Sequence, residues 1–369
     1  MTAGQTYEAV AEAATGLGTD PEPFTPEPSA AELLDRLELA EPEFEDRLRA
    51  ALAGAEEWLL ASAHDTLDPR VGPLTGHLAA AGGKRLRPLL VLLGAEFGDP
   101  WAPGVPQAAA IAELVHLASL CHDDVMDGAA TRRGVPSVHA RWGERAAVLS
   151  GDWLLARAAQ LAADLGPAAV HLNARTAGRL VSGQLRELTG PGPDVDPVTH
   201  YFHVAAGKTA ALLSMSLAIG AVQAGAPAPA AAALTEYGEQ LGIAFQVADD
   251  LLDLRRPAEA SGKPRGADLL AGVQSLPVLL AREGADPADA ELRALLAAGP
   301  VPSADVPRAL ELFERSDALA ETEAVMHRRL DRARAVLDTL PDLPARRALL
   351  ALCERPGPVF GRARALRPR

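Results

Sequence analysis

Two short segments carry the same arrangement of acids. His122-Asp123-Asp124-Val125-Met126-Asp127 follows the apolar run Leu114–Cys121, and Asp249-Asp250-Leu251-Leu252-Asp253 follows the apolar run Gly242–Ala248. On a helix, residues four apart share a face, so Asp123 projects beside Asp127 and Asp249 beside Asp253. Asp is a poor residue for a helix interior, and like charges near 4 Å repel by about 4 kcal/mol at an effective dielectric of 20. A cation held between the carboxylates offsets that repulsion. Oxygen-only donors favour a hard divalent ion such as Mg²⁺, which takes one or two carboxylates and completes its shell with water and phosphate oxygens. A solvated acidic helix end explains one such triplet; two behind apolar runs call for a ligand.

Opposed to these acids are local clusters of cations. Gly82-Gly83-Lys84-Arg85-Leu86-Arg87-Pro88 opens a helical run, where two glycines let backbone N–H groups approach an anion. Cations are unfavourable at a helix N-terminus unless an anion binds there. Arg132-Arg133-Gly134 follows the first triplet by a short loop, Lys208-Thr209 precedes a long uncharged stretch, and Gly262-Lys263 follows the second triplet. Each of these alone reads as a surface feature. His116, His139, Gln184 and Gln246 alone read equally as packed core residues. Together, acids that hold a metal and cations that hold phosphate describe a metal-bridged diphosphate site. No Walker-type phosphate loop and no nucleophile–base pair is recognisable. The chemistry implied is departure of a diphosphate assisted by metal and cations.

The elements that must position these groups are helical. Apolar residues make up 48% of the 369 residues and aromatic residues only 4%, so the apolar mass is Ala, Leu and Val rather than the aromatic residues that favour sheets. Apolar spacing of three and four recurs from Ala30 onward, broken at Gly or Pro, and no alternating strand run or fixed-period repeat is visible. The expected fold is all-α: a single large helical bundle of ten or more helices over residues 31–369. Residues 1–30, with Asp20-Pro21-Glu22-Pro23 and Thr25-Pro26-Glu27-Pro28, read as a flexible acidic, proline-rich extension. A docking partner for this extension is an expectation, and Arg362–Arg369 is a basic stretch outside the helical pattern.

A net charge of −14 and few aromatic residues argue against nucleic-acid binding. Two cysteines, Cys121 and Cys353, exclude a disulfide framework or a cysteine zinc cluster. The uncharged run Thr209–Thr235 is long enough to span a bilayer, but its Ser, Gln, Gly and Pro content points to a buried helix, a loop at Gly225–Pro229 and a second helix. No transmembrane segment is therefore expected. No basic segment precedes an apolar stretch at the N-terminus, so no secretory leader is expected and the cytoplasm is the expected location.

From about Val71 to Leu280 the chain resembles the trans-isoprenyl diphosphate synthases, the polyprenyl synthetase family. The blocks that carry the resemblance are Gly82–Pro88, His122–Asp127 with Arg132-Arg133-Gly134, Gly151-Asp152, Gly183-Gln184, Lys208-Thr209 and Phe245–Asp253, in the expected order. The resemblance implies a homodimer with the two triplets facing across a central cavity. It implies Mg²⁺, roughly three ions per site, held by Asp123, Asp124, Asp127, Asp249 and Asp250, with Asp253 reaching through water. Arg132, Lys208 and Lys263 would bind the allylic diphosphate. Lys84, Arg87, His116 and Arg133 would bind isopentenyl diphosphate, and Thr209 and Gln246 would line the site near the developing cation. Where many members carry a second lysine after the second triplet, this chain reads Gly272-Val273-Gln274-Ser275-Leu276-Pro277.

The implied reaction is ionisation, condensation and elimination, joining isopentenyl diphosphate to an allylic diphosphate. Ala118 and Ser119 lie about one turn deeper than Asp123. Both are small, where members making short products tend to carry a bulky aromatic, so a medium- or long-chain polyprenyl product is expected, with Ile111, Val115 and Met215 as candidate floor residues. The alternatives are a short-chain geranylgeranyl or farnesyl diphosphate synthase, a class I terpene cyclase, and a non-catalytic subunit of a heteromeric synthase.

Overall fold

A computed structural model of the chain describes residues 29–37, 39, 41–66, 68–255, 265–297 and 299–354. Most of the acidic extension, Lys263 and the basic C-terminal end lie outside the described residues. Among the described residues the first helix is α1 (Ala30–Leu37). Ser29 caps it: the Glu32 amide donates to Ser29 Oγ (3.2 Å) and the Ser29 amide to Glu32 Oε2 (2.8 Å). This reciprocal box satisfies two backbone donors at the helix start, and Leu33, Leu34 and Leu37 then turn into the core.

Helices dominate, as the composition predicts. They run α2 (Pro42–His64), α3 (Gly72–Thr75), α4 (His77–Ala80), α5 (Leu86–Ala95) and α6 (Gly104–Met126). After a short ribbon come α7 (Val138–Trp142), α8 (Glu144–Leu165), α9 (Pro167–Thr189) and α10 (Pro197–Ala205). A π-helical turn, Ala206–Ala210, joins α10 to α11 (Ala211–Gln223), and α12 (Ala228–Arg255) follows. The remainder is α13 (Ala267–Ala271), α14 (Leu276–Glu283), α15 (Ala290–Ala297), α16 (Val306–Phe313), α17 (Ala318–Leu337) and α18 (Pro344–Glu354).

Strand structure among the described residues is one two-residue ribbon, absent from the sequence reading, in which Thr131–Arg132 pairs antiparallel with Val135–Pro136. Its tip is Arg133-Gly134, both with positive φ (53° and 81°), the conformation a tight two-residue hairpin requires.

Helix α11 is the axis of the molecule. It is uncharged and buried from Ala211 to Ala221, as a helix apolar on every side must be. Leu213, Leu217 and Ala221 face one apolar cluster with α5, α12 and the C-terminal helices. Leu212, Met215 and Ile219 face a second cluster built on α6 and α8. Helices α5 and α11 touch backbone to backbone: a Cβ on Gly220 would lie 1.9 Å from the Val91 carbonyl oxygen, and one on Gly94 2.3 Å from that of Leu217. Among the described residues two stretches, Gly104–Met126 and Pro197–Gln223, are long and apolar enough to cross a membrane. Their most apolar windows are 67% and 78% buried inside the protein, so both serve as core helices here.

Candidate active site

The first triplet ends α6, where the carbonyl end of the helix dipole disfavours negative charge. Asp124 is fully buried, Asp123 half-buried and Asp127 exposed. Burial raises the Asp123 carboxyl above its usual range; Lys208 and Arg132 oppose the shift, while Asp127 and Glu187 add to it. Asp124 is raised by burial too, against the pull of Arg132. Arg132 Nε donates to Asp124 Oδ1 at 2.7 Å, and Asp124 Oδ2 is buried with no hydrogen-bond partner. Arg132 therefore braces the triplet from the hairpin.

The second triplet ends α12 and is divided in function by its surroundings. Asp249 is exposed, while Asp250 is buried and accepts three hydrogen bonds. Tyr201 Oη donates to Asp250 Oδ2 (2.7 Å), the Leu276 amide to the same oxygen (2.9 Å), and Gln246 Nε2 to Oδ1 (3.1 Å). Burial raises the Asp250 carboxyl, and these donors pull it back. Asp253 Oδ2 accepts the Asp268 amide at 3.1 Å. The Gly272–Pro277 segment that lacks a lysine thus meets the triplet through the backbone of Leu276.

Between the triplets lies the π turn. On one side Lys208 acts electrostatically on Asp123 and pairs with Glu187 of α9. On the other, Thr209 Oγ1 donates to Gln246 Oε1 (2.9 Å), one turn ahead of Asp249 and Asp250. Gly183 lets α9 approach: a Cβ there would lie 2.8 Å from the Lys208 nitrogen. Its neighbour Gln184 donates to the Met126 sulfur at 3.9 Å, a weak contact at the mouth of the first triplet.

The Gly82–Pro88 loop is shaped by left-handed backbone at Gly82 (φ 81°), Gly83 (126°) and Arg85 (49°). Arg85 turns inward to Glu56 (Nε to Oε2 2.6 Å) and Glu113 (Nη1 to Oε1 3.0 Å), leaving Lys84 and Arg87 half-buried on either side. Arg133 reaches the same carboxylate (Nη2 to Glu113 Oε1 3.0 Å) and donates to the Gly82 carbonyl (2.6 Å). So Arg133, read from sequence as a substrate ligand, is buried as a brace between hairpin and loop. His116 stands one turn after Glu113, and burial with Arg87 holds its imidazole well below the usual range, so it is neutral near pH 7. Ala118 is fully buried; Ser119 is half-buried, its hydroxyl on the His116 carbonyl (2.8 Å).

Sequence reading missed Glu113, Tyr201 and Glu187, and took Arg85 only as one of the cations of the Gly82–Pro88 cluster. Glu113 carried a signal, as a lone acid inside the apolar run Ala108–Leu120. The donor set fits a hard cation: carboxylate oxygens at two helix ends, one of them orphaned in the interior. Among the described residues no three metal-binding side chains converge on one point. An ion here would draw on substrate oxygens and water, as Mg²⁺ commonly does.

A sequence profile described as Polyprenyl synthetase matches residues 69–313. The chain belongs to the polyprenyl synthetase family. It is 41% identical over 320 residues to the nonaprenyl diphosphate synthase of Mycobacterium tuberculosis, covering 86% of this chain and 95% of that protein. It is 38% identical over 298 residues to heptaprenyl diphosphate synthase component 2 of Geobacillus stearothermophilus, covering 80% and 91%. Among solved structures, geranylgeranyl pyrophosphate synthase from Corynebacterium glutamicum, complexed with calcium and isoprenyl diphosphate, is similar with a TM-score of 0.78 at 39% identity. That likeness covers 86% of this chain and 97% of the other. These members of the family extend the likeness beyond the motif blocks to the whole helical body.

Proposed function

We propose that the chain is a Mg²⁺-dependent prenyltransferase that condenses isopentenyl diphosphate with an allylic diphosphate and makes a medium- or long-chain polyprenyl diphosphate. The observation that carries this reading is the Lys208-Thr209 turn, tied to Glu187 beside Asp123 and to Gln246 beside Asp249. It gives the site acids on two helix ends with the Lys208 cation between them.

When bound, the metal supplies charge neutralisation for the departing diphosphate. Asp123, Asp127 and Asp249 offer the accessible carboxylates that would hold it, with the unpartnered Oδ2 of Asp124 behind them, while both oxygens of Asp250 are taken by Tyr201, Gln246 and the Leu276 amide. Lys208 is placed to take the negative charge that develops on the leaving group. Lys84 and Arg87 stand ready for the second diphosphate, in a loop locked by Arg85, Arg133 and Glu113. Apolar residues of α6 and α11 behind the first triplet exclude water from the allylic cation, which water would convert to an alcohol. Lys263, assigned to the allylic side by resemblance, belongs to the same reading.

A product of medium or long chain is supported by Ala118, a small side chain about one turn below Asp123, and by the relatives named for nonaprenyl and heptaprenyl products. A homodimer is supported by apolar residues left in solvent on adjacent helices: Val148 and Leu149 on α8, and Val181, Leu185 and Leu188 on α9, with Leu188 80% exposed. A cytoplasmic location fits the burial of both long apolar helices. The relative named as a component of a two-part synthase favours a second reading, in which this chain works only with a different subunit.

Incubation of the purified chain with labelled isopentenyl diphosphate, Mg²⁺ and primers of several lengths tests both. Polyprenyl products that vanish with chelator support the synthase; hydrocarbon from the primer alone indicates a cyclase. Silence until a second subunit is added indicates the heteromeric reading. Light scattering of the active species reports the dimer.

A further inference from the structure

One face of α9 meets the π turn residue by residue. Arg179, Gly183 and Glu187 are spaced by four and so stand in line along the helix. Arg179 Nη2 donates to the Ala206 carbonyl at 2.9 Å. Gly183 abuts Gly207, where a Cβ on Gly207 would lie 2.8 Å from the Gly183 Cα. Glu187 pairs with Lys208. Arg179 is itself clamped by Glu239 of α12, giving hydrogen bonds to both carboxylate oxygens, with Nη2 to Oε2 at 2.8 Å. The two side chains are about one-third and one-fifth exposed.

A π turn holds one residue more than the α-helical path, which rotates everything after it by about 100° relative to everything before. That phase is needed here. Upstream, Tyr201 of α10 must reach Asp250; downstream, Gly220 of α11 must face Val91. The wide turn is intrinsically less favourable than an α-turn, so it persists where neighbours hold it. The Ala206 carbonyl, at the start of the turn, accepts the Ala211 amide and also the Arg179 guanidinium.

We propose that Arg179 and Glu239 are positioning residues that clamp the π turn, so that Lys208 is presented to the allylic diphosphate and Thr209 is held on Gln246 beside it. Neither residue touches substrate in this scheme, and the proposal rests on the function proposed above. The geometry gives it a directional signature. The clamp acts on the allylic side and leaves the Gly82–Pro88 loop, braced by Glu113, undisturbed.

The test uses the full chain with Arg179→Met and, separately, Glu239→Gln, measuring steady-state kinetics for each substrate and native hydrogen exchange without substrate. The KM for the allylic diphosphate rises about tenfold while that for isopentenyl diphosphate stays within about twofold, as loss of a charged hydrogen bond on one side implies. Exchange at the amides of residues 206–211 quickens, and Arg179→Lys recovers part of both effects. Equal rises in the two KM values, or unchanged exchange at 206–211, overturns the proposal. Should Arg179→Met fail to fold, the isosteric Glu239→Gln decides alone. A wild-type protein that makes no product counts against the proposed function, whereas the exchange measurement still decides the clamp.

Discussion

Tyr201 gives its phenolic hydrogen to Asp250 at 2.7 Å, and with the Leu276 amide and Gln246 it occupies both oxygens of that carboxylate inside the protein. The triplet that looks uniform in sequence is thereby split: Asp249 faces solvent and Asp250 ties α10, α12 and α14 together. Tyr201→Phe keeps the ring and removes the donor, so it costs about 1–2 kcal/mol of stability. Asp249→Ala abolishes Mg²⁺-dependent condensation. Melting curves and a product assay on the two variants check this opposition. Near-wild-type turnover in Asp249→Ala would remove Asp249 from the metal site.

Lys208 is engaged by Glu187 in the substrate-free protein, and both side chains are partly exposed. Such a pair contributes at most about 1 kcal/mol, so an incoming diphosphate displaces Glu187 at small cost. Glu187→Gln removes the competitor and lowers the KM for the allylic substrate by about two- to fivefold, the factor that energy corresponds to. Lys208→Ala acts in the opposite direction and also lowers kcat, because the lost interaction grows as charge develops on the leaving group. A raised allylic KM in Glu187→Gln would instead make the glutamate an aid to binding.

The interior below the first triplet is acid-sensitive. Burial would raise the Glu113 carboxyl, but Arg133, Arg85 and Arg87 overcome it and hold the group below the usual carboxylate range. His116, facing Arg87, Glu113, Arg133 and Arg132, is depressed by burial and by the arginines. Both folded-state values lie below the unfolded ones, so the unfolded chain takes up more protons as pH falls. The His116 contribution is complete above about pH 6.5 and is lost as pH drops below it; the Glu113 contribution follows below about pH 4.5. Measured against His116→Gln, wild type therefore loses melting temperature between about pH 7 and pH 5. An unchanged slope in the variant would place the acid sensitivity elsewhere.

The helical class, the two acidic helix ends and the loop cations were legible because each leaves a local mark: period, repulsion, or a cation at a helix start. What was not legible depends on contacts distant in sequence. Nothing around Tyr201 signals a carboxylate 49 residues away. The extra residue of the π turn is invisible in Ala206–Ala210, since it is imposed by α9 and α12 rather than by local propensity. Arg132 and Arg133 read alike as substrate cations, yet the hairpin sends one to Asp124 and the other to Glu113. Their alternation across a two-residue turn was hidden because so short a ribbon has no strand pattern.

On the proposed function, the wall between α6 and α11 is where product length is set. Ala118 lies in the same apolar cluster as Leu212, Met215 and Ile219, with Val115 and Ile111 one and two turns deeper on its own helix. In the proposed reaction a prenyl chain growing away from Asp123 passes Ala118 first, whose side chain is a single methyl group. Ala118→Phe fills that passage with a ring, at a packing cost of about 1–3 kcal/mol that a core of this size tolerates. The expected result is a shift of the whole product distribution to shorter chains with little change in the rate of the first condensation, because the diphosphate sites lie above the block. Met215→Ala, at the opposite wall, acts only on chains long enough to reach it, and so lengthens the longest products while leaving the early ones alone. Chromatography of dephosphorylated products from both variants checks the order of the two positions. An unchanged distribution in Ala118→Phe would show that the chain leaves the triplet by another route.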